Sequence, residues 1–379
     1  MKWMKILCKT SAVIEYSNIA VKAVSNRTTL PILECVLLIA DDDGFRIVAN
    51  DLELGIETNQ IEAEIDRQGR VALDARIFMD IIKRLPGDEV AIEADDKHIT
   101  LIKSNKTEFK IFGHDGDEFP LLPLVHKEQE YAVNAGVLKN MIRQTIFAVS
   151  TDEYKAAMTG EQMRIADGAL KMAAVDGFRL AIREEAMKDE EVREAVEVIV
   201  PAKALGELIK ILPGDEEAVV YVYFTEKHVL FELDQCRIVS RLIEGEFIQY
   251  EHFFGSEYKT VVIADRDLLI DVLERAVLIS KGSGRVTTVK VKIGDEAVEV
   301  TSKTDTGIFY DEITAEIDGE ELEIGFNPKY LLDALKAVDV PVVLLQFSTA
   351  LSPCVIQGYT DGAADAGGRY LVTPIRLQG

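Results

Sequence analysis

Residues 71–89 read VALDARIFMDIIKRLPGDE, and the fold follows from the fact that the chain writes this stretch three times. Residues 198–216 read VIVPAKALGELIKILPGDE, and residues 322–340 read LEIGFNPKYLLDALKAVDV. Each passes from a short apolar strand through a cap or breaker (Asp74, Pro201, Asn327) into one amphipathic helix. The first two helices end in an identical Leu-Pro-Gly-Asp stop, beginning at Leu85 and at Leu212, 127 residues apart. The third helix closes at Val338, 126 residues further on, and one third of the 379-residue chain is about the same length.

A second helix is expected about half a period before each of these, over residues 12–25, 134–149 and 264–280. In the last, Leu268, Leu269, Val272, Leu273, Ala276 and Ile279 follow helical spacing. The stretches between helices alternate like half-buried strands: residues 45–49, 98–102, 219–223, 228–231 and 286–291. Breaks such as Asp41-Asp-Asp-Gly44 mark hairpins. The expected fold class is α+β: three repeated domains, each with two helices and antiparallel sheets, over residues 1–127, 128–255 and 256–379.

Composition excludes several classes. Hydrophobic residues at 48% and charged residues at 28% are those of a soluble globular chain. The apolar start is broken by Lys5 and Lys9, so no secretory signal is read there, and no apolar run approaches the roughly 20 residues that span a bilayer. A cytoplasmic protein is expected. Cys8, Cys35, Cys236 and Cys354 are scattered, as buried thiols of a reducing compartment are. The five histidines form no ligand cluster, so no metal is expected.

The net charge of −24 argues on its face against a nucleic-acid partner. Its distribution argues otherwise. The six helix windows (12–25, 74–85, 134–149, 201–212, 264–280 and 327–338) together carry +3, which leaves −27 on strands and loops. If two chains joined head to tail, twelve helices could line a ring. Helix axes 8–10 Å apart give a circumference of about 110 Å and, after one helix diameter is removed, a hole of about 25 Å. That passes a duplex. A weakly basic lining would hold phosphates loosely without reading bases.

The chain resembles the β subunit of bacterial DNA polymerase III, the replicative sliding clamp. The resemblance runs through Arg27-Thr-Thr-Leu-Pro-Ile-Leu33, Asn50-Asp-Leu-Glu53, Glu118-Phe-Pro120, Val175-Asp-Gly-Phe-Arg-Leu-Ala181, Ile199-Val-Pro201, Arg241-Leu-Ile-Glu-Gly-Glu-Phe247, Gly325-Phe-Asn327, Tyr330-Leu-Leu-Asp333 and Thr373-Pro-Ile-Arg-Leu377. It implies a head-to-tail homodimeric ring around double-stranded DNA, without catalysis or cofactor. It also implies that DNA polymerase and clamp-loader subunits dock through a short hydrophobic peptide. The peptide pocket, between the second and third domains in that family, would use Met158, Val175, Gly177, Phe178, Arg179, Leu180, Ile248 and Phe253. Its other side would use Tyr330, Leu371, Pro374, Ile375 and Arg376. Arg179 and Arg376 would orient polar groups of the peptide. Arg27, Lys83, Lys139, Arg143, Lys203 and Lys210 would face DNA. The dimer seam would set Phe109 and Ile111 against Leu278 and Ile279 of a second copy.

The chain departs from the family pattern at Ile248, where Pro is usual, and at Thr373, where Met is usual. Ala202 and Asp152 stand where basic or polar DNA contacts are frequent. Two rival readings remain. Asp41–Asp43 and Asp95-Asp96 would be the acid clusters of a metal-dependent enzyme, but they sit in apparent hairpin turns, where Asp is favoured for backbone reasons. An acidic scaffold that binds DNA-binding proteins fits the total charge and not the basic bias of the helices.

Overall fold

The computed structural model describes residues 4–25, 28–187, 194–215, 217–255, 257–280, 288–305 and 307–377. Six α-helices occur among them: α1 (Thr10–Ala20), α2 (Ala75–Ile82), α3 (Ala135–Thr145), α4 (Ala202–Ile211), α5 (Arg266–Ser280) and α6 (Pro328–Ala337). Each overlaps its expected window, although α1 begins two residues before it. In α1 and α3 the shortfall at the C-terminal end is taken up by 3-10 turns at Val21–Ala23 and Ile146–Ala148. Residues 286–287 of the last expected strand lie outside the described residues; its visible part is Val289–Ile293.

Each helix is fed by a strand that ends one or two residues before it, so the backbone must turn sharply there. Side-chain caps hold at least three of these corners. Asp74 accepts from Ile77 N at 2.7 Å, Asp265 from Leu268 N at 2.9 Å, and Asn327 from Lys329 N at 3.0 Å, with Pro328 at the first helical position. The repeated stop has its own partner. Thr10 N, the first donor of α1, bonds Asp88 O at 2.8 Å, just past α2. Ala135 N bonds Ala218 O at 2.7 Å past α4, and Arg266 N bonds Pro341 O at 2.8 Å past α6. One hydrogen bond therefore recurs at the same place in each third, joining the start of its first helix to the loop after its second.

The apolar stripe of each helix faces sheet. In α2, Phe78, Met79, Ile81 and Ile82 are buried while Arg76, Ile77 and Asp80 stay exposed. In α5 and α6, Leu269, Val272, Leu273, Ala276, Leu331, Leu332 and Leu335 join Val262, Val291, Val300, Phe326 and Phe347 in one core. A buried side chain of this size contributes about 1.5–3 kcal/mol.

Contacts divide the chain into two units: residues 1–136 with 203–242, and residues 137–202 with 243–379. The first holds a five-stranded sheet, in the order 63–67, 4–9, 89–94, 99–104, 107–112, and a nine-stranded sheet in which strand Leu54–Thr58 pairs with Cys236–Arg241. The second holds a ten-stranded sheet, in which Arg179–Ala186 pairs with Gly368–Val372, and a four-stranded sheet ending at Gly307–Thr314. All pairings are antiparallel. The middle third of the sequence is thus shared between units: its last three strands extend the sheet of the first third, and its first strands after α3 extend that of the last. An unpaired strand edge is satisfied by the next repeat.

All four cysteines are free and buried, as expected of structural thiols. No helix among the described residues is long and apolar enough to cross a membrane.

Candidate functional site

In the second unit, strand Ala169–Val175 turns into strand Arg179–Ala186 through Asp176-Gly177-Phe178. Asp176 Oδ1 accepts from Phe178 N at 2.8 Å and Arg179 N at 3.0 Å, and Gly177 takes φ +95°, which only glycine adopts freely. The carbonyl of Phe178 then accepts both Thr373 N and Thr373 Oγ1, each at 2.9 Å. Thr373, a departure from the family pattern, therefore has a local role: its hydroxyl pins the C-terminal strand to this turn. The register that follows sets Arg179 opposite Val372 and Leu180 opposite Leu371.

The turn presents Phe178, 57% exposed, stacked on Tyr330 of α6 at 6.1 Å between ring centroids. Arg179 points inward. Its side chain is 11% exposed, it bonds Asp176 Oδ2 at 3.0 Å and Asp333 of α6, and its guanidinium lies 4.6 Å from the Tyr330 ring centroid and 5.4 Å from that of Phe147. With two carboxylates and two rings around it, Arg179 braces the turn against α6. Arg376 differs: it is exposed and has no ion pair among the described residues. The chain before it is anchored by Ile375 N to Gly325 O at 2.7 Å, an approach that requires glycine, since a Cβ on Gly325 would lie 2.5 Å from Ile375 O.

Below the turn, Val175, Leu180 and Leu371 form a buried floor, and Met158, Ile248 and Phe253 pack on it half-exposed. Of the residues named from the resemblance, Met158, Val175, Leu180, Ile248, Phe253 and Leu371 share this cluster, and Phe178 and Tyr330 stack on each other. Reading by motif missed Phe247, Tyr250 and Phe254 in the same cluster. The pairing Phe247-Ile248, in place of Phe-Pro, was the available signal, because both side chains pack here. Tyr250 is tied by its hydroxyl to Gln162 Oε1 at 3.0 Å, and Lys171 lies over its ring while bonding Glu251 at 2.7 Å. Chemically this is an apolar floor and an aromatic pair, and Arg376, five residues after Leu371, is an exposed cation without an ion pair among the described residues.

The basic residues are a mixed set. Arg27 lies outside the described residues. Lys83, at the C-terminal cap of α2, is exposed without an ion pair among the described residues. Lys139 on α3 is half-buried. Arg143 is bonded to Asp339 at 2.5 Å, Lys203 to Asp51, and Lys210 to Glu207 at 2.8 Å.

Of the seam residues, Phe109 and Ile111 lie on strand Thr107–Phe112, the edge of its sheet, and Leu278 is 62% exposed near the end of α5 with Ile279 half-buried beside it. The sequence reading missed three further exposed apolar side chains on edge strands: Phe112 at 83%, and Ile308 and Tyr310 on Gly307–Thr314. Their outward alternation was legible in Ile308-Phe-Tyr310.

The acid clusters serve turns. Asp41 Oδ1 accepts Asp43 N at 3.1 Å and pairs with Arg46 at 2.7 Å, while Asp95 Oδ1 accepts Lys97 N and Ile99 N, both at 2.9 Å. Among the described residues no group of three or more His, Cys, Asp or Glu is placed to hold a metal. One carboxyl stands apart. Glu161 is fully buried, with Thr145 Oγ1 at 2.5 Å from its Oε2 and, among the described residues, no partner for its Oε1. Burial pushes its pKa up to about 8, with the Thr145 hydroxyl opposing.

Comparison with known proteins returns one family along the whole chain. Residues 4–123 match the DNA polymerase III beta subunit N-terminal domain, 132–249 its central domain, and 252–374 its C-terminal domain. A beta sliding clamp from Halalkalibacterium halodurans is 36% identical over 354 residues, covering 90% of this chain and 93% of the relative. The crystal structure of the DNA polymerase sliding clamp from Bacillus subtilis superposes with a TM-score of 0.94 at 34% identity, covering 99% of this chain and 100% of that one. The DNA polymerase III beta subunit from Thermotoga maritima gives 0.89 at 30% identity over the same shares.

Proposed function

The chain belongs to the DNA polymerase III β subunit family, and from that premise we propose that it is a DNA sliding clamp, in which two copies join head to tail as a ring around duplex DNA. It acts in the cytoplasm as a processivity factor without catalysis of its own. Its three domains are residues 1–127, 128–255 and 256–379. Polymerase and clamp-loader subunits dock by a short hydrophobic peptide on the surface built from Met158, Val175, Gly177, Phe178, Leu180, Ile248, Phe253, Tyr330, Leu371, Pro374, Ile375 and Arg376. Arg179 holds that surface in shape. Phe109 and Ile111 of one copy meet Leu278 and Ile279 of the other, with Phe112, Ile308 and Tyr310 adding exposed apolar area to the same seam. Arg27, Lys83, Lys139, Arg143, Lys203 and Lys210 face the duplex.

The docking site is supported by an exposed Phe178 stacked on Tyr330 and by Met158, Ile248 and Phe253 lying half-exposed over a buried floor that includes Leu371, while Arg376 is exposed and has no ion pair among the described residues. A peptide with adjacent large apolar side chains is the ligand such a surface fits, with affinity concentrated in a few anchors. The clamp reading is tested by retention. Protein loaded on closed circular DNA should stay bound at raised salt, and should be lost when the circle is linearised, because the ring leaves over a free end. Equal loss from circles and linear DNA would refute encirclement and favour an acidic scaffold.

A further inference from the structure

The basic residues assigned to the duplex face differ in what already touches them. Lys83 has no ion pair among the described residues. Lys203, on α4, meets Asp51, whose side chain is only 4% exposed. That carboxylate is immobile: its Oδ1 accepts Glu53 N at 3.0 Å and Leu54 N at 2.7 Å, which leaves Oδ2 for the lysine. The turn is the first repeat's counterpart of Asp176-Gly177-Phe178-Arg179, with the same two backbone bonds. Here the left-handed position is filled by Leu52 at φ +77°, a costly conformation for a leucine. In the second unit, Asp339 lies two residues past α6 and receives three donors from α3: Arg143 Nη2 at 2.5 Å on Oδ1, and Asn140 Nδ2 at 3.0 Å and Gln144 Nε2 at 2.8 Å on Oδ2. Two of the cations that would meet phosphate are therefore held by carboxylates that the fold itself fixes in place.

We propose that Asp51 and Asp339 are tethered counter-ions that neutralise Lys203 and Arg143 and so set how weakly the clamp grips DNA. This rests on the reading of these helices as the duplex-facing surface. Phosphate binding gains from counter-ions released by each uncompensated cation, with log K falling by about 0.9 per tenfold rise in salt for each phosphate neutralised. A cation already matched by a fixed carboxylate contributes almost nothing to that count. A phosphate must displace the carboxylate, which stays at high local concentration because it is attached. The acidic partners thus act as a brake on affinity, consistent with a ring whose hold comes from topology.

The test measures binding of the intact protein to a short blunt duplex by fluorescence anisotropy over a salt series. Asp51→Asn retains the Oδ1 acceptor for the turn. Asp51→Asn and Asp339→Asn should each tighten binding about eightfold at ~0.1 M salt and steepen the salt slope by about 0.9. Asp66→Asn, which removes the same charge from a strand-borne pair with Lys5 at 2.8 Å, should leave both unchanged. In the unaltered protein Lys83→Ala should weaken binding, whereas Arg143→Ala and Lys203→Ala should be nearly silent. The silent pair keeps the test decisive even if Asp339→Asn loosens α3. If Lys83→Ala weakens binding and Arg143→Ala or Lys203→Ala weakens it equally, the counter-ion role is overturned while the duplex-facing reading stands. The counter-ion role is overturned in the same way if Asp51→Asn behaves as Asp66→Asn does. If no variant, Lys83→Ala included, alters affinity, the duplex-facing reading falls and the counter-ion role with it.

Discussion

Replacing Glu161 by Gln should flatten the pH dependence of stability, and the size of the effect follows from the carboxyl's surroundings. Glu161 is enclosed, and its Oε1 has no partner among the described residues. Thr145 Oγ1 lies 2.8 Å from the Met141 carbonyl and 2.5 Å from Glu161 Oε2, and the hydroxyl has one proton to give. The Met141 carbonyl competes for that proton, and burial outweighs the one shared donor that Thr145 offers Oε2, so the folded protein holds a neutral acid below about pH 8. An ionised carboxylate there would be buried with an empty oxygen, at a cost of several kcal/mol. The folded pKa is about 8 against an ordinary 4.5. Between those values the folded protein keeps a proton that the unfolded chain releases, so this contribution to stability is full below about pH 4.5 and is lost as pH rises toward 8. The slope is about 1.4 kcal/mol per pH unit, or roughly 3 kcal/mol by pH 7.

Glu161→Gln removes the titration. The amide introduces a second buried N–H that costs about 1–3 kcal/mol if unpaired, but that offset does not vary with pH. Urea unfolding of both proteins at half-unit intervals from pH 5 to 8.5 isolates the slope difference, because every other group titrates in both. A difference infrared spectrum adds a direct readout: the wild type should lose a protonated-carboxyl band with a midpoint near pH 8. Parallel stability curves, or no such band, would refute a neutral Glu161.

The remaining predictions concern the proposed surfaces. Phe178→Ala and Arg376→Ala should each weaken a labelled hydrophobic peptide about tenfold by anisotropy, the scale of one interface anchor. Arg179→Ala should lower the unfolding temperature as well, because Asp176 and Asp333 lose their shared cation; unaltered peptide binding by the first two variants would remove Phe178 and Arg376 from the site. Leu278→Lys should yield monomers by light scattering, since a lysine at the seam must be desolvated, and persistent dimers would move the seam away from the end of α5.

The residues of this chain differ in how much of their role local sequence can express. The repeats, the six helices and the caps Asp74 and Asn327 were legible because capping, amphipathic spacing and the Pro-Gly stop act within a few residues of each other. Asp74, Asn327 and Gly177 are of this kind: the φ they adopt or the amide they cap lies in their own turn. The acidic turns at Asp41 and Asp95 were legible for the same reason. The residues of the docking surface were legible only through resemblance, since nothing local says that Phe178 should stack on a tyrosine some 150 positions away.

Tertiary structure alone decided three things. It divided the middle third between two units, because strand edges are satisfied by whichever neighbour carries a free ladder, and pairing 54–58 with 236–241 or 179–186 with 368–372 leaves no local mark. It turned Arg179 inward onto Asp333 and left Arg376 exposed, although both are arginines in similar motifs. It also set Asp51 and Asp339 beside Lys203 and Arg143, so that formal charge on the helices overstates what a phosphate would meet. Charge can be counted along a chain, but its compensation depends on distances of a few ångströms, and folding brings residues from remote parts of the chain within that range.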